Sequence, residues 1–187
     1  MIISFNGDHG SGKSTIAERI AKELQYERFY LGQIFRDLAK ERDLTLIEYL
    51  KLGETDASID RSADDYIVKL GKERKDFVIE SRTAWHFLPN SLKIYLGVSK
   101  EEGAKRMFKH LREDNHRSNE DKGIETIEDV IVSNEKRKAA DDARYQKYYS
   151  IDANEMKNYD FILDTTDLTK DEVFEKILEF IRSSISK

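Results

Sequence analysis

Cysteine is absent from this 187-residue chain. Disulfides, Cys-based zinc sites and a thiol nucleophile are thereby excluded. The absence is compatible with a reducing compartment. Proline occurs once, at Pro89, and tryptophan once, at Trp85. No Pro-rich or Ser-rich linker divides the sequence, and no internal repeat is visible. Long apolar runs are missing as well, so nothing approaches membrane-spanning length. Only a handful of apolar residues precede the first glycine turn, too few for a signal peptide, and a cytoplasmic location is expected. An excess of positive charge is also lacking: the net charge is −5. That balance argues against a general binder of nucleic acid or anionic membrane, which needs a broad surplus of Lys and Arg. What remains is a heavily charged chain, 37% Asp, Glu, Lys and Arg, of one domain's length and large enough to bury a core.

The most specific feature present is Gly7-Asp8-His9-Gly10-Ser11-Gly12-Lys13-Ser14, which fits G-x-x-x-x-G-K-[ST]. It follows the apolar run Ile2–Phe5 and opens a helix with Ile16, Ala17, Ile20, Ala21 and Leu24 at helical spacing. A strand, a glycine turn and a helix N-terminus in that order form a phosphate cradle, in which backbone N–H groups converge on an anion. Gly7 to Thr15 are therefore expected to bind a nucleoside triphosphate. Lys13 would reach the β- and γ-phosphates, and the Ser14 hydroxyl would ligate Mg²⁺.

Further strand-type runs lie at Arg28–Leu31, Phe77–Ile79, Lys93–Gly97 and Asp160–Leu163, with helical stretches between most of them. The alternation predicts an α/β fold with a mostly parallel sheet covered on both faces. Val173, Phe174, Ile177, Leu178, Ile181 and Ile185 predict a C-terminal helix on that sheet. Two stretches break the alternation. Residues 32–76 are helical and charged without a strand, which predicts a helical insertion. His110–Glu125 has few apolar residues, which predicts a solvated loop.

Three arginine-bearing sites follow the glycine turn. Arg36 opens the insertion, and Arg82 follows the third strand with Glu80 two residues before it. Arg137, Asp141 and Arg144 fall within about 60° of one another on a helix beginning near Thr126. Val130 and Ile127 lie beside the same stripe, so the trio reads as a partly inward charged edge. The spacing also fits an ordinary salt-bridge pattern on a wet helix face. Glu80 is a candidate to hold Mg²⁺ through water, ahead of the alternative of a strand-end carboxylate accepting loop N–H bonds. Trp85 and Phe87 read as packing residues, His110 and His116 as solvated, and Tyr145, Tyr148 and Tyr149 as packing a helix end.

Taken in order, several stretches resemble the cytidylate kinases, particularly the short archaeal-type branch of the nucleoside monophosphate kinases. They are the glycine turn, Gly32–Arg36, Ile59–Arg61, Glu80–Arg82, Tyr95-Leu96 with Lys105-Arg106, Arg137/Asp141/Arg144, Tyr145–Tyr149, Ile151-Asp152 and Tyr159–Thr166. The resemblance spans nearly the whole chain. It implies a P-loop kinase fold: a five-stranded sheet of order 2-3-1-4-5, a monophosphate-binding insertion over 31–75 and a lid over 107–125. The core would be 1–30, 76–106 and 126–187. It further implies ATP as donor, Mg²⁺ as cofactor and CMP or dCMP as acceptor, in pyrimidine nucleotide metabolism, with the chain acting as a monomer.

On that resemblance Arg36, Arg82 and Arg144 clamp the acceptor's 5′-phosphate, and Arg137 and Asp141 contact its sugar or base. Arg106 and a lid arginine, Arg112 or Arg117, meet the transferring phosphoryl group, with Lys13 and Arg144 completing the catalytic set. Asp164, Thr165 and Thr166 hold the donor's adenine. Phosphoryl transfer between two polyanions requires such a concentration of guanidinium groups, which bind phosphate bidentately and stay charged throughout. The chain departs from the family pattern at Leu31, expected at the acceptor pocket, at Ser81, where glycine is usual, and in a longer lid. Those departures bear on the acceptor base, and leave open a kinase for another nucleotide or small metabolite. A nucleotide-binding switch is the other class, but the Asn-Lys-x-Asp stretch by which GTPases read guanine is lacking.

Overall fold

A computed structural model describes residues 1–52, 56, 58–113 and 124–185, apart from the side chains of residues 47, 50, 58–60 and 62. Arg117 and His116, and the side chains of Ile59 and Asp60, lie outside the described residues. The strands are β1 (Ile2–Gly7), β2 (Glu27–Tyr30), β3 (Phe77–Glu80), β4 (Leu92–Gly97) and β5 (Phe161–Asp164). All pair in parallel, in the order β2-β3-β1-β4-β5. The helices are α1 (Lys13–Leu24), α2 (Leu31–Glu41), α3 (Leu46–Leu52), α4 (Ser58–Glu73), α5 (Ala84–Phe87), α6 (Lys100–Glu113), α7 (Ile127–Tyr149) and α8 (Lys170–Ile185). This is the α/β P-loop kinase architecture expected from the resemblance.

Parallel strands need both faces covered, and two apolar clusters supply the covering. On one face Ile3, Phe5, Ile94 and Leu96 of β1 and β4 pack against Ile16, Ala17, Ile20 and Ala21 of α1, and against Val173, Phe174, Ile177, Leu178 and Ile181 of α8. On the other face Phe77 and Ile79 of β3 meet Ile67 and Leu70 of α4, with Ala84, Leu88 and Leu31. Residues alternate across β3, so Val78 joins the first cluster while its neighbours join the second. A smaller cluster of Ala39 and Tyr49, flanked by Phe35, Leu38 and Leu44, holds α2 to α3. No strand occurs among the described residues between Leu31 and Asp76, in agreement with a helical insertion.

Two expectations need correction. The stretch from His110 was expected as loop, yet α6 continues to Glu113. Ala104, Met107, Phe108 and Leu111 recur at helical spacing, and the Asn134 amide of α7 reaches the Met107 sulfur at 3.3 Å. That packing carries the helix on through an otherwise charged segment. The second correction concerns Leu31, which starts α2 instead of ending a strand, because its side chain drops into the core with Ile67 and Leu70. At the start of α7, Thr126 and Asp129 form a reciprocal capping box. Among the described residues no helix is long and apolar enough to cross a membrane.

Candidate active site

β1 ends at the centre of the sheet, and the chain must then turn sharply to enter α1. Gly10 and Gly12 both take positive φ, 80° and 86°. Gly10 has a second constraint: a Cβ there would lie 2.2 Å from the Gly103 carbonyl oxygen of α6. Gly103 is bound by the converse approach, its own Cβ falling 2.6 Å from the His9 carbonyl. The glycine turn is therefore backed by α6 at a separation that admits no side chain on either element. The first N–H groups of α1 open onto this turn without intrahelical acceptors.

Lys13 folds back over the turn and donates to the carbonyls of Gly7 at 2.9 Å and Asp8 at 2.7 Å. Burial, and next the nearby Arg82 cation, hold its amine down to about 7, with Glu80 and Asp8 opposing. An anion placed in the turn favours the charged amine again. Asp8 is held away from the mouth by β4: Tyr95 Oη donates to its Oδ1 at 2.9 Å, and the Val98 N–H to its Oδ2 at 3.3 Å. Burial, with the Asp8 charge, pushes the Tyr95 phenol well above its ordinary range. Ser14 lies at the start of α1, half-buried beside Lys13.

Beyond the turn the charged groups are joined in a chain. Arg82 Nη2 meets His9 Nε2 at 2.6 Å, and Arg82 Nε meets Asp141 Oδ2 at 3.0 Å. The other oxygen of Asp141 accepts from Arg144 Nη2 at 2.6 Å. Asp141 and Arg144 are 6% and 4% exposed, which settles the choice left open by spacing: this edge of α7 faces inward. Arg137 is near enough for its charge to be felt at Lys13. One buried carboxylate thus serves two guanidinium groups. A buried cluster with that imbalance is costly in isolation and favours an incoming anion.

Arg36, on α2, donates to the Tyr30 hydroxyl at 3.0 Å and lies over the Tyr30 ring. Arg28 also lies near that ring. Arg28 Nε donates to Glu80 Oε1 at 2.7 Å. Glu80 is buried, and its Oε2 has no hydrogen-bond partner among the described residues. A buried, unsatisfied carboxylate oxygen of this kind fits a hard cation or its water shell. Among the described residues no group of three His, Cys, Asp or Glu side chains forms a metal cage. Such a cation would take its remaining ligands from phosphate and water, as Mg²⁺ does in phosphoryl-transfer sites.

The segment after β5 closes the site's outer wall. Arg106 of α6 donates to the carbonyls of Thr165 and Thr166, each at 2.9 Å, and its Nε pairs with Glu102. Thr165 Oγ1 donates to the carbonyl of Ser11 at 3.2 Å and of Gly97 at 2.9 Å. Asp164 accepts from the backbone N–H and hydroxyl of Thr166. Arg106 is therefore engaged with the Asp164–Thr166 loop. Arg112 lies farther along α6, stacked over Phe108 and donating to the Glu125 carbonyl.

The structure thus brings Lys13, Arg82, Arg137, Asp141 and Arg144 to one side of the glycine turn. Arg36 lies on α2 against Tyr30, Arg106 lies against the loop after β5, and Arg112 lies at the end of α6. Leu31 belongs to the core. Arg28, Tyr30 and Tyr95 were not anticipated as site residues, and His9 was anticipated only as part of the glycine turn. A charged Arg28 in an otherwise apolar strand-type run was the available signal, since such a residue needs a buried partner.

The sequence profile of the cytidylate kinase-like family matches residues 2–167. Cytidylate kinase from Halobacterium salinarum is 33% identical over 183 residues, covering 97% of this chain and 89% of that one. Cytidylate kinase from Natronomonas pharaonis is 36% identical over 175 residues, covering 92% and 85%. In fold, the chain is similar to shikimate kinase from Bacteroides thetaiotaomicron, with a TM-score of 0.62 at 15% identity over 100% of this chain and 99% of that one. The chain belongs to the cytidylate kinase-like family and is a phosphotransferase.

Proposed function

We propose that this phosphotransferase is a nucleoside monophosphate kinase that moves the γ-phosphoryl group of ATP to CMP or dCMP, giving ADP and CDP or dCDP. The observation carrying this reading is the Arg82–Asp141–Arg144 cluster beside the glycine turn, in which Asp141 and Arg144 are buried and Arg82 is half-buried. Two guanidinium groups sharing one carboxylate leave positive charge for a second phosphate, opposite the triphosphate cradle. The names of the curated relatives support cytidine as the acceptor base.

In this reading residues Gly7–Thr15 hold the donor phosphates and Lys13 moves from its loop carbonyls onto the β- and γ-oxygens. Arg36, Arg82 and Arg144 hold the acceptor's 5′-phosphate, and Asp141 fixes the angle between the last two while Arg137 faces the sugar or base. An oxygen of the acceptor phosphate attacks Pγ as the bond from Pγ to the β,γ-bridging oxygen breaks, so no covalent enzyme intermediate is required. Positioning and charge supply the acceleration. Ser14 and the unsatisfied Glu80 Oε2 would hold Mg²⁺. Bound there, the ion would neutralise charge developing on the β- and γ-oxygens. The Asp164–Thr166 loop, tied down by Arg106, would take the adenine. Residues 31–75 act as the monophosphate-binding insertion and residues 107–125 as a lid that excludes water, with Arg112 on the lid's stem. The chain works as a cytoplasmic monomer.

A coupled ADP-release assay with CMP, dCMP, UMP, AMP and GMP tests the reading. Strongest stimulation by CMP and dCMP is expected. Stimulation by a different base alone overturns the cytidine assignment, and no stimulation by any monophosphate overturns the kinase.

A further inference from the structure

The glycine turn is suited to hold phosphate through its backbone N–H groups and Lys13, so the side chains of Asp8, His9 and Ser11 can serve other tasks. Asp8 is occupied with Tyr95, and Ser11 Oγ with the Asp8 carbonyl at 2.9 Å. His9 instead reaches out of the turn, and its Nε2 lies 2.6 Å from Arg82 Nη2. A guanidinium group only donates, so Nε2 must be the acceptor and the ring proton must sit on Nδ1. We propose that His9 is a positioning residue for Arg82, joining the triphosphate cradle to the acceptor-phosphate clamp through a hydrogen bond from the guanidinium to a neutral imidazole. The inference rests on the kinase reading above and adds to it a residue role carried by a side chain of the cradle itself.

Three observations support it. First, the carbonyl of His9 is pinned by the approach of Gly103, where a Cβ would lie 2.6 Å away. The imidazole therefore hangs from a fixed piece of backbone. Second, Arg82 is gripped from two elements: His9 takes Nη2 and Asp141 of α7 takes Nε at 3.0 Å. Nη1 has no partner among the described residues, and a guanidinium held at two of its three nitrogens presents the third in a fixed direction. Third, the chemistry of the acceptor suits the task. A carboxylate in place of His9 would cancel the Arg82 charge needed for phosphate. A neutral imidazole nitrogen orients the group and leaves that charge intact. His9 thereby sets where the acceptor phosphate rests relative to the γ-phosphate bound by the same loop.

Two measurements test this. In the ¹⁵N-labelled full-length protein, long-range ¹H–¹⁵N correlation resolves histidine tautomers, and the chain has four histidines. His9, assigned through the H9Q spectrum, is expected in the Nδ1–H form with an unprotonated, hydrogen-bonded Nε2. An Nε2–H form overturns the proposal without reference to activity. In kinetics, H9A is expected to raise the acceptor KM roughly 10- to 100-fold, the cost of one hydrogen bond to a charged group, and to raise the ATP KM by much less. H9Q, whose amide oxygen reaches about where Nε2 lies, is expected to restore most of the loss. Equal changes in both KM values, no change in either, or an H9Q no better than H9A overturns the proposal. If the wild type shows no acceptor-stimulated ADP release, the kinase reading fails instead, and the tautomer still decides whether the bridge exists.

Discussion

Asp141 is the residue on which the proposed acceptor side of the site turns. Its two oxygens are divided between Arg82 and Arg144, both on the inward edge of α7 or facing it. Removing the charge leaves two guanidinium groups against each other in a buried place, which is a heavier loss than one hydrogen bond. Asp141→Asn is therefore expected to lower stability in urea by on the order of 3 kcal/mol. It should also raise the acceptor KM well above any change in the ATP KM. A loss well under about 1 kcal/mol would mean that solvent screens the pair, as it does for surface ion pairs. Arg28 illustrates the same logic in the other direction. It is paired to Glu80 at Oε1 and leaves Oε2 unsatisfied, so the carboxylate is oriented before any cation arrives.

At the scale of elements, the decisive contact is that of α6 with the glycine turn. Gly103 has no room for a methyl group: it would meet the His9 carbonyl at 2.6 Å and Val98 Cγ1 at 3.0 Å. A carbonyl belonging to the glycine turn cannot step aside without moving the proposed donor site. Gly103→Ala is expected to cost about 1–3 kcal/mol, an overpacking penalty, and to raise the ATP KM. Gly71→Ala in α4 is the control. There the Cβ would meet Leu88 Cδ2 at 2.4 Å, the far end of a side chain that can rotate away. The gain in helix propensity, about 1 kcal/mol, offsets part of the shift. Equal melting temperatures for the two variants would show that α6 is not braced on the turn as described. The length of α6 was itself hard to see in the sequence. Met107, Phe108 and Leu111 are spaced for a helix, but they are diluted by charge until α7 is known to lie alongside.

For the whole molecule, the pH dependence of stability follows from groups whose environment differs between the folded and unfolded chain. Lys13 titrates near 7 in the folded protein and at its ordinary 10.5 when unfolded. Between those values the unfolded chain binds the additional proton, so stability rises with pH across that window. Burial raises Tyr95 and Tyr159 above their ordinary value of 10.0, so above about pH 10 the folded chain holds more protons and stability falls again. The nucleotide-free protein is thus expected to have its denaturation midpoint increase from pH 7 to 9 and decline past 10. Lys13→Met should flatten the rising limb and leave the decline. A midpoint that falls steadily from pH 7 in the wild type would contradict the buried amine.

The glycine turn between β1 and α1, the sheet's strands and the helical insertion were legible from order alone, because each depends on neighbours in the chain. A glycine turn between an apolar run and an amphipathic helix has few other ways to fold. The strand-type runs were found within a residue or two for the same reason, and the strand order followed from the resemblance those runs and motifs carry together. What the three-dimensional arrangement alone decided is which charges meet. Arg28 and Glu80 are 52 residues apart, His9 and Arg82 are 73, and Asp8 and Tyr95 are 87. No periodicity links such pairs. They come together because parallel pairing stacks the ends of β1, β2, β3 and β4 at one edge of the sheet. There, desolvation makes each buried charge find a partner.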